Sequence, residues 1–181
     1  MSGAAVHSVH IYDDDSALIK RLCGIVTSGL HLGNAVVIVA AAAHRDLLTK
    51  ELREFGINIR SYARDGRFVM YDAADTLATF MVNDRPDRDL FQRSVGGFLA
   101  DARKHALSNG SGLTVFGEMV SVLWEQGKKE AALELETLWN ESLNLSAFHL
   151  HCAYPRSPFT AANDEQGYAA VCQAHSHVLV A

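Results

Sequence analysis

The sequence predicts an α/β fold: a mainly parallel sheet with helices on both faces. Segments of strand character alternate with segments of helical periodicity along the chain, the pattern that βαβ units leave. Asn34 to Ala40 (NAVVIVA) is a continuous run rich in β-branched residues, as suits a strand buried on both faces. The chain has 181 residues, 49% hydrophobic and 20% charged, enough for a substantial globular core.

The elements follow in order. His7 to Tyr12 (HSVHIY) alternates and reads as a short strand. Asp13, Asp14 and Asp15 follow, and carboxylates there can cap a helix. Leu18, Leu22, Ile25, Val26 and Leu30 recur at helical steps, with closure near Gly29 and Gly33. After the strand at Asn34 to Ala40, Ala41 to Phe55 reads as a helix with Leu47, Leu48, Leu52 and Phe55 on one side. Gly56 fits its C′ position. Arg67 to Asp72 is the next strand, Asp75 to Val82 a short helix, and Asp84 to Asp87 a turn. Asp89 to Leu107 is a helix with Leu90, Phe91, Val95, Phe98, Leu99 and Ala102 inward, and Ser108 to Gly112 is a turn. Leu113 to Phe116 is a strand ending in Gly117-Glu118. Helices are expected over Met119 to Gln126 and Lys129 to Leu143, separated by Gly127. Phe148 to Tyr154 is a strand stopped by Pro155, and a last helix spans Asn163 to His175.

Sixteen Lys and Arg against 21 Asp and Glu give a net charge of -5, a poor basis for direct DNA binding, which needs a basic footprint. Cys23, Cys152 and Cys172 are too few and odd in number for a disulfide framework, so they are expected as reduced thiols of a cytoplasmic protein. The N-terminus lacks the pattern of a signal peptide. The longest apolar run, Ala35 to Ala43, is too short to span a bilayer, so no membrane association is expected. The expected organisation is a disordered start over 1–5, one domain over 6–178 and a tail over 179–181.

In a parallel sheet, ligands sit beyond the carboxyl ends of the strands. The residues there are Tyr12, the Ala41-to-Arg45 stretch, Asp72, Glu118 and Tyr154. Asp13, Asp14 and Asp72 read most simply as helix caps. Glu118, after Gly117, either faces a pocket or caps the following helix. The segment around Ala40 has the strand–loop–helix layout of a phosphate-binding unit but lacks its glycine-rich turn, its lysine and its magnesium-binding hydroxyl. His44 and Arg45 are left as candidates for binding an anion at a helix N-terminus. His149 and His151 share one strand face while Cys152 points to the other, and His175 and His177 repeat the spacing. Without HExxH or paired CxxC, these are weak metal candidates against surface or core histidines. No Gly-x-Ser-x-Gly elbow or catalytic triad appears, so no enzyme is expected. Trp124, Trp139 and Phe148 fall on apolar faces and read as core.

Three blocks carry a family resemblance. The first joins His10-Ile11-Tyr12-Asp13-Asp14, Gly29-Leu30 with Gly33, and Ala43-His44-Arg45. The second is Phe116-Gly117-Glu118-Met119-Val120 with Leu123-Trp124 and Gly127. The third joins Leu133-Glu134, Leu138-Trp139-Asn140, Leu150 to Pro155 and His175 to Val178. Together they resemble the MEDS domain, a sensory domain named for methanogens, methylotrophs and the dichloromethane-response regulator DcmR. The resemblance implies a signal-input domain for a small molecule, with hydrocarbon derivatives the proposed class. It also implies a RecA-like three-layer sandwich, related to circadian-clock ATPases, without a functional P-loop. No effector domain is recognisable, so output would pass through a regulatory partner (transcriptional, kinase or anti-sigma) or through self-association.

The expected function is therefore a non-catalytic sensor. A small ligand would bind near Tyr12, His44, Arg45, Asp72, Glu118 and Tyr154. Two alternatives stand beside it. One is a residual RecA-like nucleotide-binding domain; the other is a metal- or redox-responsive domain using His149, His151, Cys152, His175 or His177.

Overall fold

A computed structural model describes residues 5–107 and 112–180. Residues 1–4 of the expected disordered start (1–5), most of the turn over 108–112 and the final tail residue lie outside the described residues.

Six strands form one parallel sheet. They are β1 (Val6–Tyr12), β2 (Ala35–Ala40), β3 (Phe68–Asp72), β6 (Leu113–Gly117), β7 (His149–Pro155) and β8 (His177–Val180), in the order β3-β2-β6-β7-β1-β8. All six residues of β2 are buried, because both its faces are covered, as its unbroken apolar run requires. The helices are α1 (Asp15–His31), α2 (Ala42–Glu54), α3 (Ile59–Arg64), α4 (Ala73–Ala78), α5 (Arg88–Arg103), α6 (Met119–Glu125), α7 (Lys129–Leu145), α8 (Ser157–Ala161) and α9 (Glu165–Gln173).

Side chains alternate across each strand, so the sheet carries two cores. On one face, Val36, Ile38, Ala40 and Phe116 pack beneath α1 and α2, with α3 at the margin. On the other, Val37, Val39, Val115 and Leu150 pack beneath α4 to α9. Three layers result: α1–α3, sheet, α4–α9.

Several boundaries differ from the sequence expectation. Helix α1 does not close at Gly29 but runs to His31, and Gly33 takes the left-handed turn at φ 83. Gly29 serves close packing instead: a Cβ there would lie 2.9 Å from Thr114 Oγ1 and 3.0 Å from Val36 Cγ2. In α2, Leu48 and Leu52 are buried, but Leu47 and Phe55 are exposed because α2 presents only a narrow stripe to the sheet. The expected helix to Val82 ends at Ala78. The chain then forms a hairpin, β4 (Met81–Val82) against β5 (Arg85–Pro86). Asn83 and Asp84 both have positive φ, 49 and 63, the two-residue turn that matches strand twist. Helix α5 ends at Arg103, and Leu107 has left it to donate to the Gly33 carbonyl at 2.8 Å. Helices α3 and α8, each one to two turns long, were too short to show periodicity. Residues 179 and 180 belong not to a tail but to β8, which pairs with β1 because Val178 and Val180 supply β-branched residues at the edge.

Trp139 on α7 is fully buried. Its ring stands edge-on to Phe91 with centroids 5.2 Å apart, and it passes 3.6 Å from where a Gly117 Cβ would sit. The expected outcome for Trp139→Ala is a loss of about 3–5 kcal/mol, read as a lowered urea midpoint at unchanged m-value.

Candidate functional site

Strand β2 leads into α2 on one face, whereas its neighbour β6 leads into α6 on the other. Adjacent strands whose connections diverge leave a crevice at their carboxyl ends, where open α/β sheets bind ligands. Glu118, the residue after β6, occupies that position and is buried. Its Oε2 accepts the Ala41 backbone N–H at 2.8 Å. Ala41 is the N-cap of α2 and has no side chain able to cap it, so the carboxylate supplies the negative charge that a helix N-terminus favours. Its Oε1 lies 2.5 Å from His44 Nδ1.

His44, on the first turn of α2, is held between two carboxylates. Its Nε2 lies 3.3 Å from Asp15 Oδ1 at the start of α1. The hydrogen bond to Glu118 pushes the imidazole up to about 9, against the opposing pull of burial and with help from Asp15. His44 is thus an imidazolium at neutral pH, and the anion at this helix end is the protein's own. Tyr12 closes the same corner, its ring edge-on to His44 at 6.5 Å. Burial first, then Glu118, Glu125 and Asp15, raise its phenol well above the ordinary value.

The other carboxyl-edge residues divide. Arg45 does not reach this anion position; its Nη2 donates to Asp72 Oδ2 at 2.6 Å. Asp72 also caps α4, accepting from the N–H groups of Ala74 and Asp75, and these bonds hold its carboxyl below the usual range. Asp14 caps α1 through Ala17 N–H at 2.9 Å, and Asp13 pairs with Arg156 at 2.5 Å. Tyr154 lies on the opposite face of the sheet from Tyr12 and takes no part in this cluster. Gly117 does not open space for a ligand, since the Trp139 ring runs beneath it.

A cleft of about 330 Å³ adjoins the cluster between α1 and α2, lined by Asp15, Ser16, Ile19, Leu47, Lys50 and Glu51 among others. Asp15 is shared between cleft and cluster. At the other end of α1 a cavity of about 440 Å³ is lined by Lys20, Arg21, Gly24, Thr114, His149 and His151 among others. Here His151 Nδ1 sits 2.7 Å from Ser8 Oγ, and burial, then the charges of His149 and Arg21, push it down to about 4.

A second cluster lies across the sheet. His7 on β1, Glu136 on α7, Cys152 on β7 and His175 before β8 are all buried, with donor atoms within 4.8 Å of one another. Tyr154 Oη donates to Glu136 Oε1 at 2.8 Å. Burial would raise the Glu136 carboxyl, but His175, His7 and Tyr154 outweigh it and hold it below the usual range. Burial and then Glu136 push the Cys152 thiol and the Tyr154 phenol well up. Of the metal candidates named from sequence, Cys152 and His175 meet here, whereas His149 and His151 project to the other face. His177 is exposed and contacts Ser176 Oγ at 3.0 Å.

His7 and Glu136 were missed as site residues. A signal for Glu136 exists: it is a carboxylate within the apolar stripe of Ala132, Leu135, Trp139 and Leu143, where an unpartnered charge is not tolerated. His7 shares its strand face with Val9 and Ile11, and strand alternation alone implied its burial.

Among the described residues, no helix is long and apolar enough to cross a membrane. No curated protein and no solved structure matches the chain. A family model, MEDS, the methanogen/methylotroph, DcmR sensory domain, matches residues 6–175. That match begins at the first residue of β1 and takes in both buried clusters through His175, so the chain belongs to the MEDS family of sensory domains.

Proposed function

We propose that this sensory domain is non-catalytic and takes a small molecule into the α1–α2 cleft at the carboxyl edge of the sheet. The observation that carries this is the shared Asp15: it lines the cleft and contacts His44, which is bonded to Glu118 at the sheet's crevice. An occupant of the cleft that displaces Asp15 changes the charge around His44 and, through Glu118, the bond to Ala41 at the start of α2. A ligand shifts such an equilibrium only by its differential affinity for the two arrangements. The cleft combines apolar Ile19 and Leu47 with charged Asp15, Lys50 and Glu51. That lining supports a small, partly apolar ligand such as a hydrocarbon derivative. Output would then pass to a regulatory protein partner or a second copy, in a cytoplasmic setting where Cys23, Cys152 and Cys172 form no disulfide.

The nucleotide-binding alternative is disfavoured by the same geometry. The position a phosphate would take at the α2 N-terminus is filled by Glu118, and a second anion there would meet repulsion in a low-dielectric crevice.

The test is a panel of short-chain haloalkanes and alcohols titrated into the labelled protein, followed by backbone amide NMR. Expected are shifts along Asp15 to Lys20 and Ala43 to Glu51 that are lost in Leu47→Trp, which fills the cleft from an exposed position. Shifts confined to the cavity beside His149 and His151 would overturn the proposal.

The His44 pair has its own pH signature. Its folded-state proton is bound more tightly than in the unfolded chain, from 6.5 to about 9. The stabilisation is therefore complete below about pH 6.5 and lost as pH rises through about 9, a change on the order of 3 kcal/mol. Urea unfolding of wild type and Glu118→Gln from pH 6 to 9.5 checks it. The gap between the two should narrow across that window.

A further inference from the structure

The cluster across the sheet joins four donors from four segments: His7 on β1, Glu136 on α7, Cys152 on β7 and His175 at the entry to β8. Hydrogen bonds on the outside of the cluster fix the tautomers. His175 Nδ1 faces the Val171 carbonyl at 2.7 Å. A carbonyl only accepts, so the proton is on Nδ1. The Asn140 amide nitrogen donates to the Ala174 carbonyl at 2.9 Å. Its oxygen therefore faces His7 Nδ1 at 2.9 Å, and that nitrogen too must donate. Both rings thus turn Nε2 inward. His175 Nε2 is fully buried and makes no hydrogen bond, an orphaned lone pair of the kind folded proteins rarely keep.

Four of the six inner distances lie near those of a coordination shell, in a cluster whose donor atoms all fall within 4.8 Å of one another. His7 Nε2 and His175 Nε2 lie 3.3 and 3.4 Å from Glu136 Oε2. Cys152 Sγ is 3.4 Å from His7 Nε2 and 3.8 Å from Glu136 Oε2. A tetrahedral zinc with ordinary Zn–N, Zn–O and Zn–S bonds separates its donors by about 3.3–3.6 Å. Two imidazole lone pairs aimed at a carboxylate are repelled by it unless a proton on a ring or a metal ion lies between them. A divalent ion with one thiolate, one carboxylate and two neutral imidazoles has no net charge, the least costly state for a buried site.

We propose that His7 Nε2, Glu136 Oε2, Cys152 Sγ and His175 Nε2 bind a single divalent first-row transition ion, with zinc the occupant the donor set suits best. Cys152 gives up its thiol proton to solvent as the Zn–S bond forms and the ion sheds water. Asn140, the Val171 carbonyl and Tyr154 supply the outer shell: the first two orient the rings, and the Tyr154 hydroxyl occupies Oε1, leaving Oε2 for the metal. Four protein donors leave no open position, so the ion's role is to clip the C-terminal strand β8 to β1, β7 and α7. The site lies across the sheet from the α1–α2 cleft and stands independently of any ligand there.

The full chain, expressed without a histidine tag and purified without chelator, is assayed by elemental analysis. About one zinc per chain is expected. Chelated protein should regain zinc with a rise in Tm of about 8–16 °C at saturating metal. Cobalt(II) added to the chelated protein should give tetrahedral d–d bands with a thiolate charge-transfer band. Cys152→Ser should lose that band, and His175→Ala should lose stoichiometric metal, while the His149→Ala/His151→Ala pair keeps both. Should either cluster variant fail to fold, the wild-type cobalt spectrum and Tm shift carry the test. Metal below about a tenth of an equivalent, with no Tm shift and no thiolate band, overturns the site. So does zinc lost with His149 and His151 but retained by Cys152→Ser.

Discussion

A carboxylate taken out of water costs several kcal/mol unless donors or cations surround it, and this fold buries two, one on each side of its sheet. Glu118 and Glu136 are each almost wholly inaccessible, and the segments that answer them are the ones that define the architecture. Glu118 ties the end of β6 to the starts of α2 and, through His44, α1. Glu136 ties α7 to β1, β7 and the approach to β8. The apolar layers supply most of the driving force. The two acids decide which segments meet, because an alternative packing would leave a charge unanswered.

The two sites solve the same problem differently. Glu118 meets a backbone amide and an imidazolium at the positive end of a helix, and the other ring nitrogen of that imidazolium reaches the solvent-exposed Asp15. Glu136 is sealed beneath α7 and α9 and draws on side chains far apart in sequence. The first is therefore joined to the surface, whereas the second is shut off from it.

The sheet and the long helices were legible because their signals are local. The apolar run of β2, the periodicity of α1, α5 and α7 and the Gly56 stop depend on neighbours within one turn or one strand. Residues at the carboxyl edge were legible too, since topology places them, and Glu118 and His44 do meet there. What was not legible depended on contacts across the chain. Gly29 is set by Thr114, and the exposure of Leu47 and Phe55 by how little of α2 the sheet covers. Tyr154 was assigned to the edge from its strand position, but the parity of β7 turns it to Glu136. His7 and Glu136 needed the knowledge that β1 pairs with β7 and that α7 crosses behind them.

One feature of the strand order bears on how the chain is made. Of the six strands of this sheet β1 is the first to be synthesised, yet its neighbours are β7 and β8, the last two of the six. Ser176 reaches back across 169 positions to exchange hydrogen bonds with His7. Until the ribosome has released residues beyond 150, the amides and carbonyls of β1 have no strand to pair with, although β2, β3 and β6 can already assemble. Closing so long a loop is entropically slow. The nascent domain therefore holds an apolar strand unpaired until β7 and β8 emerge, and termination before residue 149 removes both partners of β1.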